Sequence, residues 1–292
     1  MLTEAQLEKR QNNIGASEGL HYGLSFDAYK AIDAVNASLL KKMPVPAKAK
    51  RYLDGFDNID AEKEKDIRNG LIVHALLFEP ERIAEKIAIC EENYNRNSSA
   101  WKDFVAATPG LLHVWRQDVE NAQAAVDAIF AEHGADYFDA GRSEVTGVWY
   151  DAERDIWFKM RLDHHVNVQG VAHVILDVKD TTNASEDAWE RRITGMEHHI
   201  QAQLYLEGAK RLTGKEHDWL WLIIESQPPY LSVIRGIEDR ALSVARDEID
   251  IRVALLQDCI EHDRWPGYRK KQKSGLTAWA YKQHFQGATP PF

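Results

Sequence analysis

The chain has 292 residues, 44% hydrophobic and 28% charged, which is the composition of a globular protein long enough to bury a substantial core. A formal charge of −10 argues against a protein that coats nucleic acid nonspecifically, because such binding is driven by Lys and Arg displacing counterions. It leaves room for a nuclease whose carboxylates are neutralised by bound cations.

No run approaches the roughly 18 apolar residues of a membrane span, and the N-terminus lacks a basic-then-apolar secretory pattern. Cys90 and Cys259 are far apart and outside any Cys-x-x-Cys pair, so zinc ribbons, iron–sulfur clusters and a disulfide framework are unsupported. The expectation is a cytoplasmic protein with two reduced, buried thiols and no membrane partner.

Residues 1–60 are mostly polar, with one short helix over Asn36–Met43 that Pro44 and Pro46 stop and that Asn36 or Ser38 caps. From about Ala61 a charged segment leads into Gly70–Phe78, a buried helix ending near Glu79-Pro80 whose only ionisable group is His74. A helix over about Asp118–Glu132 ends before Gly134.

The apolar period then changes to two. Ser143–Tyr150, Ile156–Leu162 and Val171–Lys179 read as three successive strands of a meander, with Asp151–Asp155 as the first turn. One long helix over Glu186–Leu212 follows, then strands Trp219–Glu225 and Tyr230–Ile237 on either side of Gln227-Pro228-Pro229, and an amphipathic helix over Glu238–Asp263. Strands, a crossover helix and further strands predict an α/β fold of the α+β kind, a mixed sheet flanked by helices. It is read as a single domain, with a helical part over about 1–135, a core over about 136–262 and a tail over 263–292. From Arg264 onward the tail has no acidic residue and interleaves basic residues, among them Arg269, Lys270 and Lys271, with aromatic rings. It either contacts DNA by phosphate neutralisation and stacking or packs on the body with its cations solvated.

Asp177-Val178-Lys179 closes an apolar strand and delivers a carboxylate and an ammonium to one face of the sheet, because strand side chains repeat with period two. Alone, the triplet is an ordinary surface ion pair. With Asp163 on the preceding strand and Gln201 and Tyr205 one helical turn apart, it suits phosphodiester hydrolysis. Asp163 and Asp177 are hard oxygen ligands for Mg²⁺ or Mn²⁺, and the carbonyl of Val178 is an extra candidate ligand. Lys179 would orient the attacking water and offset charge on the phosphate.

His74 is either a hydrogen-bonded core residue or a metal ligand, and Glu144 either faces solvent, the plainer reading, or adds a carboxylate. The doublets His164-His165 and His198-His199 read as surface or supporting groups, since adjacent residues diverge on a strand or helix. Trp149, Trp157 and Trp221 read as core or interface residues.

Gly70–Pro80, Met160–Asp163, Ile175–Ser185 and His199–Gly208, in this order and spacing, resemble the PD-(D/E)xK exonucleases. The likeness is strongest to the RecE-type (exonuclease VIII) nuclease domains of the lambda exonuclease-like superfamily, and runs from about Tyr29 to Trp279. It implies a restriction-endonuclease-like core, with metal-site roles on His74, Asp163, Asp177 and Lys179. The Gln-x-x-x-Tyr motif falls on Gln201 and Tyr205, which would position the DNA strand or the lysine. Ser38 would hold a 5′-phosphate and Arg161 is a further phosphate candidate. Asp180 departs from the Thr or Ser expected after the lysine.

The resemblance further implies an exonuclease that uses Mg²⁺, or Mn²⁺ in its place, with two ions per site and no ATP. Such an enzyme degrades linear duplex DNA 5′ to 3′ and leaves 3′ overhangs for recombination in a phage or prophage setting. The implied partners are duplex DNA ends, further copies in a trimeric or tetrameric ring, and a single-strand annealing protein of the RecT/Redβ type. An endonuclease or end-processing enzyme on the same fold, or an inactive DNA-binding or assembly subunit, are the alternatives.

Overall fold

A computed structural model describes residues 15–56, 61–134, 138, 141–168, 172–268 and 275. The elements in chain order begin with β1 (Gly19–His21), α1 (Phe26–Ala31), α2 (Ala37–Lys42), α3 (Pro46–Leu53) and α4 (Ala61–Phe78). A 3-10 turn leads to α5 (Ile83–Lys86), β2 (Ile87–Cys90), α6 (Ser99–Ala107), β3 (Leu112–Trp115) and α7 (Arg116–His133). The central run is β4 (Arg142–Asp151), β5 (Ile156–Val168), β6 (Ala172–Thr181), α8 (Glu186–Gly195) and α9 (His198–Thr213). β7 (Asp218–Glu225), β8 (Ser232–Gly236) and α10 (Asp239–Glu261) complete it.

Six strands form one sheet in the order β1-β4-β5-β6-β7-β8. Every neighbouring pair is antiparallel except β6 and β7, which run parallel from Val174 beside Asp218 to Thr181 beside Glu225. A parallel pair needs a crossover, and α8 and α9 supply it. The expected mixed sheet flanked by helices is therefore the observed fold.

Period-two alternation divides the core. Ile175, Trp219, Trp221 and Ile223 join one apolar cluster with residues of α2, α9 and α10, whereas Leu176, Leu222 and Ile224 join a second with residues of α4 and α7. Trp149 and Trp221 lie in this core as expected, and Trp157 packs half-buried against a smaller cluster around Ile32 and Val148. Gly208 on α9 is required by close approach, because a Cβ there would stand 2.6 Å from the Trp149 ring.

Local chemistry sets the boundaries. Asn36, not Ser38, caps α2: its Oδ1 accepts from the Leu39 amide at 2.9 Å. The expected single helix over Glu186–Leu212 is two helices, broken at Met196 and Glu197. Glu197 takes a left-handed φ of 52°, and its carboxylate accepts from Arg252 of α10 at 2.5 Å. Beyond the break α9 packs on β4, β5 and β7. β1, β2, β3, α1, α3, α5 and α6 have no counterpart in the sequence reading. The β2–β3 ladder is parallel and only four residues long on each side, too short for its period to stand out.

The histidine doublets are not surface groups. His164, His165, His198 and His199 are all buried, His164 stacked on Phe78 at 4.9 Å and His165 Nε2 3.0 Å from His217 Nε2. Phe78 of α4 and His217 cover the first pair, and Trp189 of α8 and Glu248 of α10 cover the second, so both members of each pair are enclosed. Cys90 and Cys259 are buried free thiols. Among the described residues no helix is long and apolar enough to cross a membrane. The tail begins packed on the body: Pro266 accepts from the Ala47 amide at 3.1 Å, and Lys48 stands over the Tyr268 ring. Arg269, Lys270 and Lys271 lie outside the described residues.

Candidate active site

The site is built where two strands part. The β5–β6 ladder runs from Val168 beside Ala172 to His164 beside Leu176 and goes no further, while β6 remains paired to β7 through Thr181. At this fork the Val178 amide donates to the Asp163 carboxylate, Oδ2, at 3.0 Å, in place of a strand partner. Asp163 and Asp177 are thus brought to the same opening from neighbouring strands.

Each carboxylate is held from a different layer. Asp177, only 2% exposed, accepts from Gln201 Nε2 of α9 at 2.8 Å on Oδ1, and the Lys179 ammonium lies against Oδ2. Asp163 Oδ1 stands 3.4 Å from His74 Nε2 of α4, and His74 Nδ1 stands 3.3 Å from Glu144 Oε1. Glu144 also ion-pairs with Arg161, which donates to the Leu24 carbonyl at 2.9 Å. Glu144 is therefore turned into the site, contrary to the solvent-facing expectation. Its φ of 55° kinks β4 opposite the fork and redirects the side chain.

The two acids are driven apart electrostatically. Burial raises the Asp177 carboxyl to about 6, with Asp163 adding repulsion that Lys179 only partly offsets. Burial works against ionised Asp163 too, but His74 and Lys179 outweigh it and hold its carboxyl down at about 2. Burial likewise opposes charge on His74 and Lys179, and the surrounding carboxylates overcome it and raise both. Ionised Asp163 and Asp177 form a concentrated negative pair for which Lys179 and His74 are the local counter-charges.

Tyr205, a turn beyond Gln201, is buried edge-on to Trp219. Its hydroxyl is pushed well above its ordinary range by burial and by neighbouring Tyr29. Of the motif's two residues, Gln201 bonds directly to Asp177, while Tyr205 lies among Tyr29, Trp219 and the β5 backbone at Arg161. Ser38 is exposed on α2, and Arg161 is engaged by Glu144. Sequence reasoning passed over Lys41, three residues beyond Ser38, whose charge acts on both Asp177 and Lys179. The only signal was a Lys-Lys pair closing a helix.

Donor chemistry suits a hard divalent cation. Asp177 Oδ2 is buried with only the Lys179 ammonium against it, and the Val178 carbonyl faces the same lysine, 3.4 Å from its Nζ. Among the described residues no three His, Cys, Asp or Glu side chains form a ready cage.

Comparison with known proteins bears on the fold and the family. No curated protein matches the sequence. The crystal structure of a "putative exonuclease" from Eubacterium rectale superposes with a TM-score of 0.55 at 15% identity, covering 89% of this chain and 98% of that one, and shows a shared fold. A second structure, of SSO0001, covers 87% of this chain and 94% of its own at 14% identity, but its TM-score of 0.29 carries no argument. Residues 25–274 match the family described as PDDEXK-like domain of unknown function (DUF3799), and the chain belongs to that PDDEXK-like family.

Proposed function

We propose that this protein is a Mg²⁺-dependent, ATP-independent exodeoxyribonuclease acting from the 5′ ends of linear duplex DNA. The observation that carries the reading is the fork itself: the buried Asp177 carboxylate, the half-buried Asp163 carboxylate and a lysine converge where β5 leaves β6. The similarity of fold to the Eubacterium rectale protein called an exonuclease supports it.

Asp163, Asp177 and the Val178 carbonyl would hold one or two Mg²⁺ or Mn²⁺ ions, which when bound supply a nucleophilic water at neutral pH and stabilise the leaving oxygen. Gln201 keeps Asp177 oriented and His74 keeps Asp163 ionised. Lys179, which pairs with Asp177, would orient the attacking water and offset charge on the phosphate. The polarity, the 3′ overhang, a ring of three or four copies and an annealing protein of the RecT/Redβ type follow from the resemblance to RecE-type nucleases and complete the proposal.

The deciding experiment uses linear duplexes labelled at either end, with 5′-phosphoryl or 5′-hydroxyl termini, in Mg²⁺ and in EDTA. Nucleotide release from the 5′ side in Mg²⁺, lost in EDTA and in Asp177→Ala, is expected. Wild type as inert as Asp177→Ala across metals and salt would leave an inactive DNA-binding subunit, and cuts within covalently closed DNA would make it an endonuclease.

A further inference from the structure

Three histidines from neighbouring strands meet on one face of the sheet, on the laddered side of the fork. His165 of β5 lies opposite Ile175 of β6, His173 precedes Ile175 by two residues, and His217 precedes Trp219, the β7 partner of Ile175, by two as well. Period two therefore directs all three side chains to the face that Ile175 and Trp219 occupy. The rings bear this out: the centroid of His217 stands 5.1 Å from that of His165 and 5.3 Å from that of His173.

His165 and His217 touch through ring nitrogens, Nε2 to Nε2 at 3.0 Å. His217 Nδ1 lies 2.9 Å from the Lys215 carbonyl, which can only accept, so Nδ1 carries the proton and Nε2 presents a lone pair. A backbone carbonyl holding the far N–H of an imidazole is the arrangement that orients metal-ligating histidines. Burial lowers the His217 imidazole below its ordinary value against the pull of the Lys215 bond, and His173 adds repulsion, which keeps the ring in the neutral form that a cation needs. His165 is buried, whereas His173 and His217 are half-buried, so the group is open to solvent on their side.

We propose that His165, His173 and His217 form a binding site for one transition-metal cation of the Zn²⁺ kind, separate from the carboxylate site and independent of the nuclease reading. Imidazole nitrogens suit such borderline cations, whereas Mg²⁺ takes oxygen ligands. Two imidazoles on a tetrahedral Zn²⁺, each at about 2.0–2.1 Å, have nitrogens roughly 3.3 Å apart, so the pair now at 3.0 Å needs to open only slightly. His165 in its other tautomer turns a lone pair to the cation in place of the proton it shares with His217. The three rings are no ready cage, and His173 turns about its side-chain bonds to bring in the third nitrogen. Water fills the fourth position. The bound cation ties β5, β6 and the entry to β7 together and stabilises the folded chain.

Calorimetric Zn²⁺ titration of the full chain, free of any polyhistidine tag, stripped of metal and held in excess Mg²⁺, tests the site without requiring cleavage. Wild type is expected to bind one Zn²⁺ per chain. Asp177→Ala, which damages the carboxylate site, and His262→Gln, which removes an exposed histidine just beyond α10, are expected to bind it equally well. His217→Gln and His173→Gln are expected to bind about tenfold more weakly or worse, at least the loss that follows removal of a ligand's outer partner. Circular dichroism of each variant confirms folding.

Thermal unfolding supplies a second readout: Zn²⁺ is expected to raise the Tm of wild type and of Asp177→Ala but not that of His217→Gln. No Zn²⁺ bound by wild type, undiminished affinity in His217→Gln, or loss of binding in Asp177→Ala overturns the proposal. Undiminished affinity in His173→Gln alone overturns the three-ligand site.

Discussion

Replacing Gln201 with Leu isolates what the helix-borne amide contributes to the metal site. Asp177 is 2% exposed, and Gln201 is the donor to its Oδ1, at 2.8 Å. A hydrogen bond to a buried charged group contributes about 1.5–3 kcal/mol, so its loss disfavours the ionised carboxylate by that amount, or about 10–100-fold in the equilibrium. In the metal-free protein Asp177 already sits near 6, and the variant moves it higher still. A cation must then displace a proton at neutral pH. Mn²⁺ affinity is therefore expected to fall about two- to tenfold near pH 7 and to approach wild type as the pH is raised to 9, where the carboxyl ionises in both proteins. Calorimetric Mn²⁺ titration at pH 6.5, 7.5 and 9, in two buffers to count released protons, provides the measurement. An affinity deficit that is absent, or that stays constant across this range, refutes the reasoning.

Lys179→Met is expected to reduce turnover by at least about 100-fold while Mn²⁺ binding changes little, because the lysine acts on water and phosphate and is no ligand; parallel losses of both would show that it organises the metal site instead. His74 has a raised folded pKa, so its contribution to stability is complete below about 6.5 and is lost as pH climbs through the folded value. Metal-free wild type should accordingly lose more unfolding free energy between pH 6 and pH 8 than His74→Gln does, and identical slopes in urea titrations would contradict the pairing with Asp163 and Glu144. Gly208→Val forces side-chain atoms against the Trp149 ring and is expected to lower stability by about 1–3 kcal/mol by calorimetry, whereas an unchanged melting temperature would mean that α9 can move away from β4 at no cost.

The residues legible in the sequence were those whose period or apolar context fixes their direction. Asp177 and Lys179 follow Ile175 with period two on a strand buried on both faces, and Gln201 and Tyr205 are one helical turn apart, so each pair shares a face wherever its element lies. The mixed sheet was legible for the same reason: its long strands give clear alternation and its parallel step needs a helical crossover. What was not legible depends on single backbone conformations or on distant tertiary contacts. Glu144 points inward because one residue of β4 adopts a positive φ, a state that a Glu codes for poorly. The break at Glu197 depends on Arg252, 55 residues later, holding its carboxylate. The burial of the histidine doublets depends on helices that cover both sides of their elements.

That dependence on Arg252 links two features which the sequence shows separately. Were α8 and α9 one continuous helix, Gln201 would be carried on the axis of α8, and nothing would position it against the end of β6. The break frees α9 to be set by its own contacts: Trp149 against Gly208, Gln201 against Asp177, and Arg252 across Glu197 and Leu40. The same guanidinium that fixes the start of α9 also fixes the end of α2, so the ligand-orienting glutamine and Lys41 are registered to one another through a single side chain that is itself 8% exposed. A charge buried to that degree is costly unless fully paired, and its two carboxylates and one carbonyl meet that requirement. Arg252 therefore acts at a distance from Asp163 and Asp177, by fixing the relative position of the helices packed beside them, and its removal should disturb the metal site even though it touches neither carboxylate.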